Sequence, residues 1–319
     1  MGESQAIAVD GLSKRFSSTF SVRDVGFCVA RGSVTGFLGP NGAGKSSVIR
    51  LILGLERCSG RALLDGTSYV DLSNPARRVG VMLDRLPAHP RHSVVGHLRM
   101  IAAGIGVQNG RIDEVLGIVG LSDVASRKIR ALSLGMAQRL AIATSILGDP
   151  KILILDEPAN GLDPSGLIWF KSFLRGYVKE GGSVLASSHN LADVSVIADD
   201  LVVMSKGRVT AAASVVDFVE KFSHSYVQVR TDEPDRLALL LQSRGGRVVT
   251  RHRNRVHFDG LSAYEVAKLA LEWGILIYEL QDFAGSLEDA YFAFAEVPRD
   301  DVTFRSLTLS VTAKRRAVA

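Results

Sequence analysis

The run Gly39-Pro40-Asn41-Gly42-Ala43-Gly44-Lys45-Ser46 constrains this chain more than any other feature. Glycine, four residues, then Gly-Lys-Ser is a phosphate-loop pattern, and it works only between a strand and a helix. The apolar run Val34 to Leu38 supplies the strand, and a helical pattern follows Ser46. Glycines let the backbone wrap around phosphate oxygens so that its N–H groups point inward. The helix behind them adds its positive N-terminal end. In this pattern Lys45 neutralises the β- and γ-phosphates, the Ser46 hydroxyl is a Mg²⁺ ligand, and Ser47 completes the nucleotide-binding turn. A surface glycine turn with a chance lysine is the alternative reading of the same residues.

The remainder of the first half fits a parallel α/β sheet, because apolar strand runs alternate with helical patterns. Ile152 to Leu155 is an unbroken aliphatic run, as a parallel strand buried on both faces requires. Ser183 to Ala186 and Leu201 to Met204 read as further strands of the same sheet. The Ile152 run ends in Asp156-Glu157, and this separates an ATPase from the kinases and GTPases that share the phosphate loop. Asp156 is expected at the Mg²⁺ site, holding the ion through a water. Glu157 is expected to polarise the attacking water, a general-base task worth roughly 10²–10⁴-fold in rate. A plain helix cap is the alternative for this pair.

The hydrophobic fraction of 46% and charged fraction of 22% are those of an ordinary soluble globular protein. No stretch approaches the 18 or so apolar residues that span a bilayer, and Met1 to Asp10 shows no secretory pattern. Met1-Gly2 opens the chain, but Ala6 stands where myristoylation needs Ser or Thr. Cys28 and Cys58 offer neither a metal spacing nor a disulfide framework, so reduced cytosolic thiols are expected. The net charge of +5 permits contact with anionic lipid or nucleic acid and demands neither.

Beyond about Ala213 the character changes. Tyr226 to Val297 reads as strand, helix, two strands, helix, strand and a closing helix, with Ser286 and Asp289 as a capping pair. The expected organisation is a nucleotide-binding domain over residues 1–220, a small α+β accessory domain over 221–298, and a loose basic tail over 299–319 that carries Lys314-Arg315-Arg316.

Three further segments complete a family pattern. Leu132-Ser133-Leu134-Gly135-Met136 precedes the carboxylates and opens a helical stretch running to about Leu147. Asn160-Gly161-Leu162-Asp163 follows them, and Ser187-Ser188-His189 follows in turn. Together with Phe16 ahead of the loop, these segments resemble the signature motif, D-loop, switch-histidine loop and adenine-stacking aromatic of ATP-binding-cassette (ABC) proteins, in order over residues 12–190. The resemblance implies a P-loop ATPase of ABC type with a helical signature subdomain. It also implies two such chains closing head to tail, each ATP lying between one phosphate loop and the other signature motif. Ser133 and the Gly135 N–H would meet the γ-phosphate across that interface, a helix N-terminus being suited to an anion. His189 would hydrogen-bond the γ-phosphate and help place the water near Glu157, and Asp163 would link the two sites. The residue-by-residue alternatives are a core role for Phe16, a surface histidine at 189, and a turn former at Asp163 ahead of Pro164.

Two departures from the family pattern stand out. Leu134 replaces the first signature glycine and Met136 the glutamine, while Ser133 and Gly135 remain. The strand-like run Val79 to Leu83 leads to Asp84, where the family's Q-loop glutamine is usual; an aspartate reaches Mg²⁺ or its water but is shorter and charged. As one cassette without membrane spans, the chain is expected to be a peripheral subunit at the cytoplasmic face of the cell membrane. Its partners would be separate transmembrane permease subunits, met through the region from Leu83 to Arg99, and a second ATP-binding subunit, with no nucleic acid. The tail Ser286-Leu287-Glu288-Asp289-Ala290-Tyr291 resembles that of bacterial exporter ATPases associated with drugs, antibiotics and antimicrobial peptides, which favours export. The rival readings are a regulatory cassette with weak or no hydrolysis and a soluble cassette acting on ribosomes or DNA. The latter relatives carry paired cassettes or long coiled coils, which this sequence lacks.

Overall fold

The computed structural model describes residues 5–15, 21–83, 88–223, 225–283 and 285–296. Phe16, Asp84 and the basic tail fall outside them. The chain divides at Val215/Val216 into two compact units.

In the first unit, β1 (Gln5–Arg15), β2 (Ser21–Ala30), β3 (Val34–Leu38), α1 (Lys45–Ile52), β4 (Ser59–Leu64) and β5 (Val79–Met82) come first. A helical segment follows, with α2 (Val94–Ile105), α3 (Asn109–Val119) and α4 (Leu134–Ile146). The chain then returns through β6 (Ile152–Leu155), α5 (Pro164–Lys179), β7 (Ser183–Ser188), α6 (Leu191–Ile197), β8 (Asp200–Ser205) and β9 (Arg208–Ser214). Six strands form the main sheet in the order β5-β6-β7-β3-β8-β9. Neighbours from β5 through β8 run parallel, and β9 closes the edge antiparallel to β8. Every residue of β3, β6 and β7 is buried, so these strands carry no polar alternation and read as continuous apolar or small-residue runs.

A second, antiparallel sheet in the order β2-β1-β4 faces this one. Its inward side chains Ile7, Leu12, Val25 and Phe27 share a core with Val48, Ile49 and Ile52 of α1 and with Phe37 of β3. The Phe27 and Phe37 rings lie 5.3 Å apart, joining the two layers. The sequence reading missed this sheet: its strands are half-exposed and interrupted by register shifts in β1, which blurs the period-2 signal.

Helices α2, α3 and α4 bury Leu98, Val115, Leu116 and Leu140 among themselves. The Ser93 hydroxyl caps α2 by accepting the Gly96 N–H at 3.1 Å. Gly106 and Gly120 end α2 and α3 at φ 67°, the left-handed turn that glycine takes without penalty. Between α2 and α4 sits His97, wholly buried, whose Nε2 lies 3.3 Å from Thr144 Oγ1.

The second unit contains α7 (Val215–Phe222, whose first residue ends the first unit), β10 (Tyr226–Thr231), α8 (Pro234–Gln242), β11 (Arg247–His252), β12 (Arg255–Asp259), α9 (Ala263–Glu272), β13 (Ile277–Phe283) and α10 (Leu287–Glu296). From β10 onward this is the element order expected from the sequence, which carried no sign of α7. The sheet runs β11-β12-β10-β13 with all neighbours antiparallel. Val227, Val229, Val256 and Phe258 form its core with Leu237 and Leu241 of α8 and Val266 of α9. A reciprocal capping box fixes the start of α9: the Ser262 hydroxyl accepts the Glu265 N–H, and the Glu265 carboxylate accepts the Ser262 N–H. The Ser286 hydroxyl likewise accepts the Asp289 N–H at 3.0 Å.

Candidate nucleotide site

The buried strand β3 delivers the chain to Gly39 at the C-terminal edge of the parallel sheet, where open α/β sheets bind ligands. A Cβ on Gly39 would lie 2.4 Å from the Met204 carbonyl oxygen, so glycine alone fits there. Gly42 and Gly44 take φ values of 79° and 108°, which wrap the loop before α1 begins at Lys45. No side chain caps α1. Its first-turn N–H groups are therefore available to an anion. They border a cavity of about 340 Å³ lined by Pro40, Asn41, Gly42, Gly44, Lys45, Ser46 and Ser47, with Glu157, Asn160 and His189 across from them.

One charged array runs through this cavity. Lys45, only 5% exposed, places Nζ 2.6 Å from the Gly39 carbonyl and 3.3 Å from Glu157 Oε1. The other Glu157 oxygen accepts from His189 Nδ1 at 2.8 Å. Asp156 lies behind, 2% exposed at the end of β6, its N–H bonded to the Met82 carbonyl of β5. A single hydroxyl organises the carboxylate pair: Ser187 donates to Asp156 Oδ1 at 2.6 Å and accepts the Glu157 N–H at 2.8 Å. Glu157 itself sits in the left-handed region at φ 51°. Nearby Asp193 has its carboxyl pushed up by burial, an effect opposed by His189 and reinforced by the charge of Glu157.

The signature and D-loop residues form a separate cluster in the same chain. Ser133 caps α4, its hydroxyl accepting the Met136 N–H at 3.3 Å. Leu134 is 68% exposed yet covers Gly161, where an added Cβ would meet its Cδ2 at 2.3 Å. A Cβ on Gly135 would come to 3.4 Å from the Gly161 carbonyl. Asp163 caps α5 by accepting the Gly166 N–H at 2.7 Å and the Ser165 hydroxyl, and those two bonds hold its carboxyl below the usual carboxylate range. None of Ser133, Gly135 and Asp163 lines the loop cavity. Thus the fold gathers Gly39 to Ser47, Asp156, Glu157 and His189 at one place, and Ser133, Gly135 and Asp163 at another. Sequence reasoning gave no role to Ser187, Gln138 or Asn160, although each lies inside or beside a segment it singled out.

Residues 22–160 match the family model described as ABC transporter, and residues 225–288 match a domain of unknown function. An uncharacterised ABC transporter ATP-binding protein of Bacillus subtilis is 32% identical over 93% of this chain and 98% of its own length. The bacitracin transport ATP-binding protein of Bacillus licheniformis is 31% identical over 91% of this chain and 96% of its own. A solved ATP-binding subunit of an ABC transporter is 28% identical, with a TM-score of 0.61 over 68% of this chain and 93% of that one. The fold and the loop define a P-loop nucleoside-triphosphatase of the ABC type. Within that class, the chain belongs to the ATP-binding proteins of ABC transporters.

Proposed function

We propose that this chain binds MgATP, hydrolyses it between two cassettes, and so powers a transporter whose membrane part is a separate protein. The observation that carries this reading is the array Lys45–Glu157–His189 across a glycine loop that opens a helix. In this reading the loop N–H groups and Lys45 hold the phosphates, exchanging the contact of Lys45 with Glu157 for one with substrate. Glu157 then orients the attacking water and takes its proton, while His189, already bonded to Glu157, holds that carboxylate in line and reaches the γ-phosphate. Phosphoryl transfer needs little covalent help from a protein, so positioning and charge supply most of the rate.

Mg²⁺ fits the donor set. Such ions are held by one or two carboxylates together with hydroxyl and phosphate oxygens, and Asp156 and Ser46 offer that combination, with Asp84 proposed as a further ligand. No group of three or more His, Cys, Asp or Glu among the described residues is placed to hold a metal without substrate. When bound, the ion neutralises charge developing on the phosphates. The proposed partner contributions are those of Ser133, Gly135 and Asp163, which the isolated chain keeps away from its own loop cavity, and Phe16 is proposed to stack on adenine.

No described helix is long and apolar enough to cross a membrane, which supports attachment through permease subunits rather than insertion. Relatives named for bacitracin and lantibiotic transport support export of an antibiotic or antimicrobial peptide. Co-purification from detergent-solubilised membranes tests the transporter reading. Recovery of a protein with several membrane spans is expected. Recovery of ribosomes or DNA, or of no membrane protein at all, would overturn it.

A further inference from the structure

We propose that Gln138 of α4 is a positioning residue for Glu157, gripping the backbone of the hydrolytic carboxylate from the helix that begins at Ser133 and Gly135. The inference rests on the reading of Glu157 as the base, and it begins from a conformational oddity. A non-glycine residue at φ 51° is disfavoured and persists only when its surroundings over-determine it. On the N-terminal side, the Ser187 hydroxyl holds the Glu157 N–H. On the C-terminal side, the Gln138 amide donates to the Glu157 carbonyl at 3.1 Å and to the Pro158 carbonyl at 3.0 Å, while the Asn160 N–H shares the first of these. The two amide hydrogens of one side chain therefore clamp two successive peptide planes.

The orientation of those planes decides where the carboxylate points. Its oxygens lie 3.3 Å from Lys45 and 2.8 Å from His189, a geometry with little tolerance. One turn earlier on the same helix, Leu134 bears on Gly161. Helix α4 thus touches the segment 157–161 at two points, and a displacement of the helix is carried into the base. Because the N-terminus of α4 is the part proposed to meet the partner's nucleotide, Gln138 gives that contact a route to the hydrolytic geometry of its own chain. A glutamine that merely satisfied two buried carbonyls would support stability and leave turnover alone.

Full-length Gln138→Met and Gln138→Glu separate these cases, the first keeping shape without a donor and the second placing an acceptor against two carbonyls. Phosphate release, MgATP affinity and melting temperature are measured on each. Since a misplacement of ~1 Å can cost about 100-fold, turnover should fall by roughly 10- to 100-fold in both variants. MgATP affinity should stay unchanged. Wild-type turnover in either folded variant overturns the proposal, as does a loss of rate that only follows losses of affinity and melting temperature. If Met at this position prevents folding, the polar Glu variant carries the same test. A wild-type chain that binds MgATP without releasing phosphate defeats the hydrolysis reading first, and this inference with it.

Discussion

Histidine 97 shows how one buried side chain ties the molecule to pH. Thr144 gives its hydroxyl hydrogen to the Leu140 carbonyl, so its oxygen accepts from His97 Nε2. That leaves Nδ1 buried without a hydrogen-bond partner in the neutral ring. Burial, and secondarily the charge of His92, push its pKa below the ordinary value of 6.5. The sign follows from linkage. Above about 6.5 both folded and unfolded states are neutral and the full stability is present; below it the unfolded chain takes up a proton that the folded chain refuses. The melting temperature should therefore fall as pH drops from 7 toward 5.5, and His97→Leu should flatten that slope. An equal slope in the variant would show that other groups set it. Nothing in the sequence marked His97, because an isolated histidine inside an amphipathic helix reads as surface or core alike until the facing helix is known. The charged array was better exposed to sequence reasoning: Lys45, Glu157 and His189 each sit inside a spaced motif, and the fold brings them within 3.3 Å of one another in turn.

Between elements, one tight constraint lies where the end of β3 passes the Met204 carbonyl of β8. Gly39→Ala puts its methyl against a backbone atom that cannot rotate away, so the loop or β8 must shift. Overpacking of this kind costs about 1–3 kcal/mol. A lower melting temperature together with weaker MgATP binding is the expected outcome, and an alanine variant matching wild type in both would refute the close approach. The pattern Gly-x4-Gly-Lys-Ser announces this glycine, but its cause is a contact with a strand more than 160 residues later. The central strands β3, β6 and β7 were legible for a related reason, since burial on both faces removes polar alternation and leaves apolar runs. The β2-β1-β4 sheet was not, because half-buried edges with register shifts carry little periodic signal. Polar contacts stood between these cases: Ser286 with Asp289 was visible by spacing, while Gln138 lay unnoticed two residues past a motif read only for its phosphate contacts.

At the scale of the whole molecule, two clusters of buried side chains among the described residues share no member. One joins β1, β2, α1 and the main sheet, and the other lies between α8, α9 and the β11-β12-β10-β13 sheet. Phe258 is fully buried in the second. Phe258→Ala should cost that unit about 3–5 kcal/mol. In a calorimetric scan with MgATP present, one transition should move down while the nucleotide-stabilised one stays in place. A joint shift would mean that the chain melts as one cooperative body. The change of sequence character after the last strands of the main sheet suggested a boundary near residue 220, and the compact units divide at Val215/Val216. What the accessory unit recognises was not legible, since its fold is made by ordinary alternation and helix caps.

The central claim is that Glu157 performs hydrolysis in a site that binds MgATP without it. The most direct measurement compares phosphate release and MgATP affinity for the purified full-length wild type and Glu157→Gln. The account predicts release by the wild type, undiminished binding by the variant, and a fall in its turnover of roughly 10²–10⁴-fold. Near-wild-type phosphate release by Glu157→Gln would contradict it.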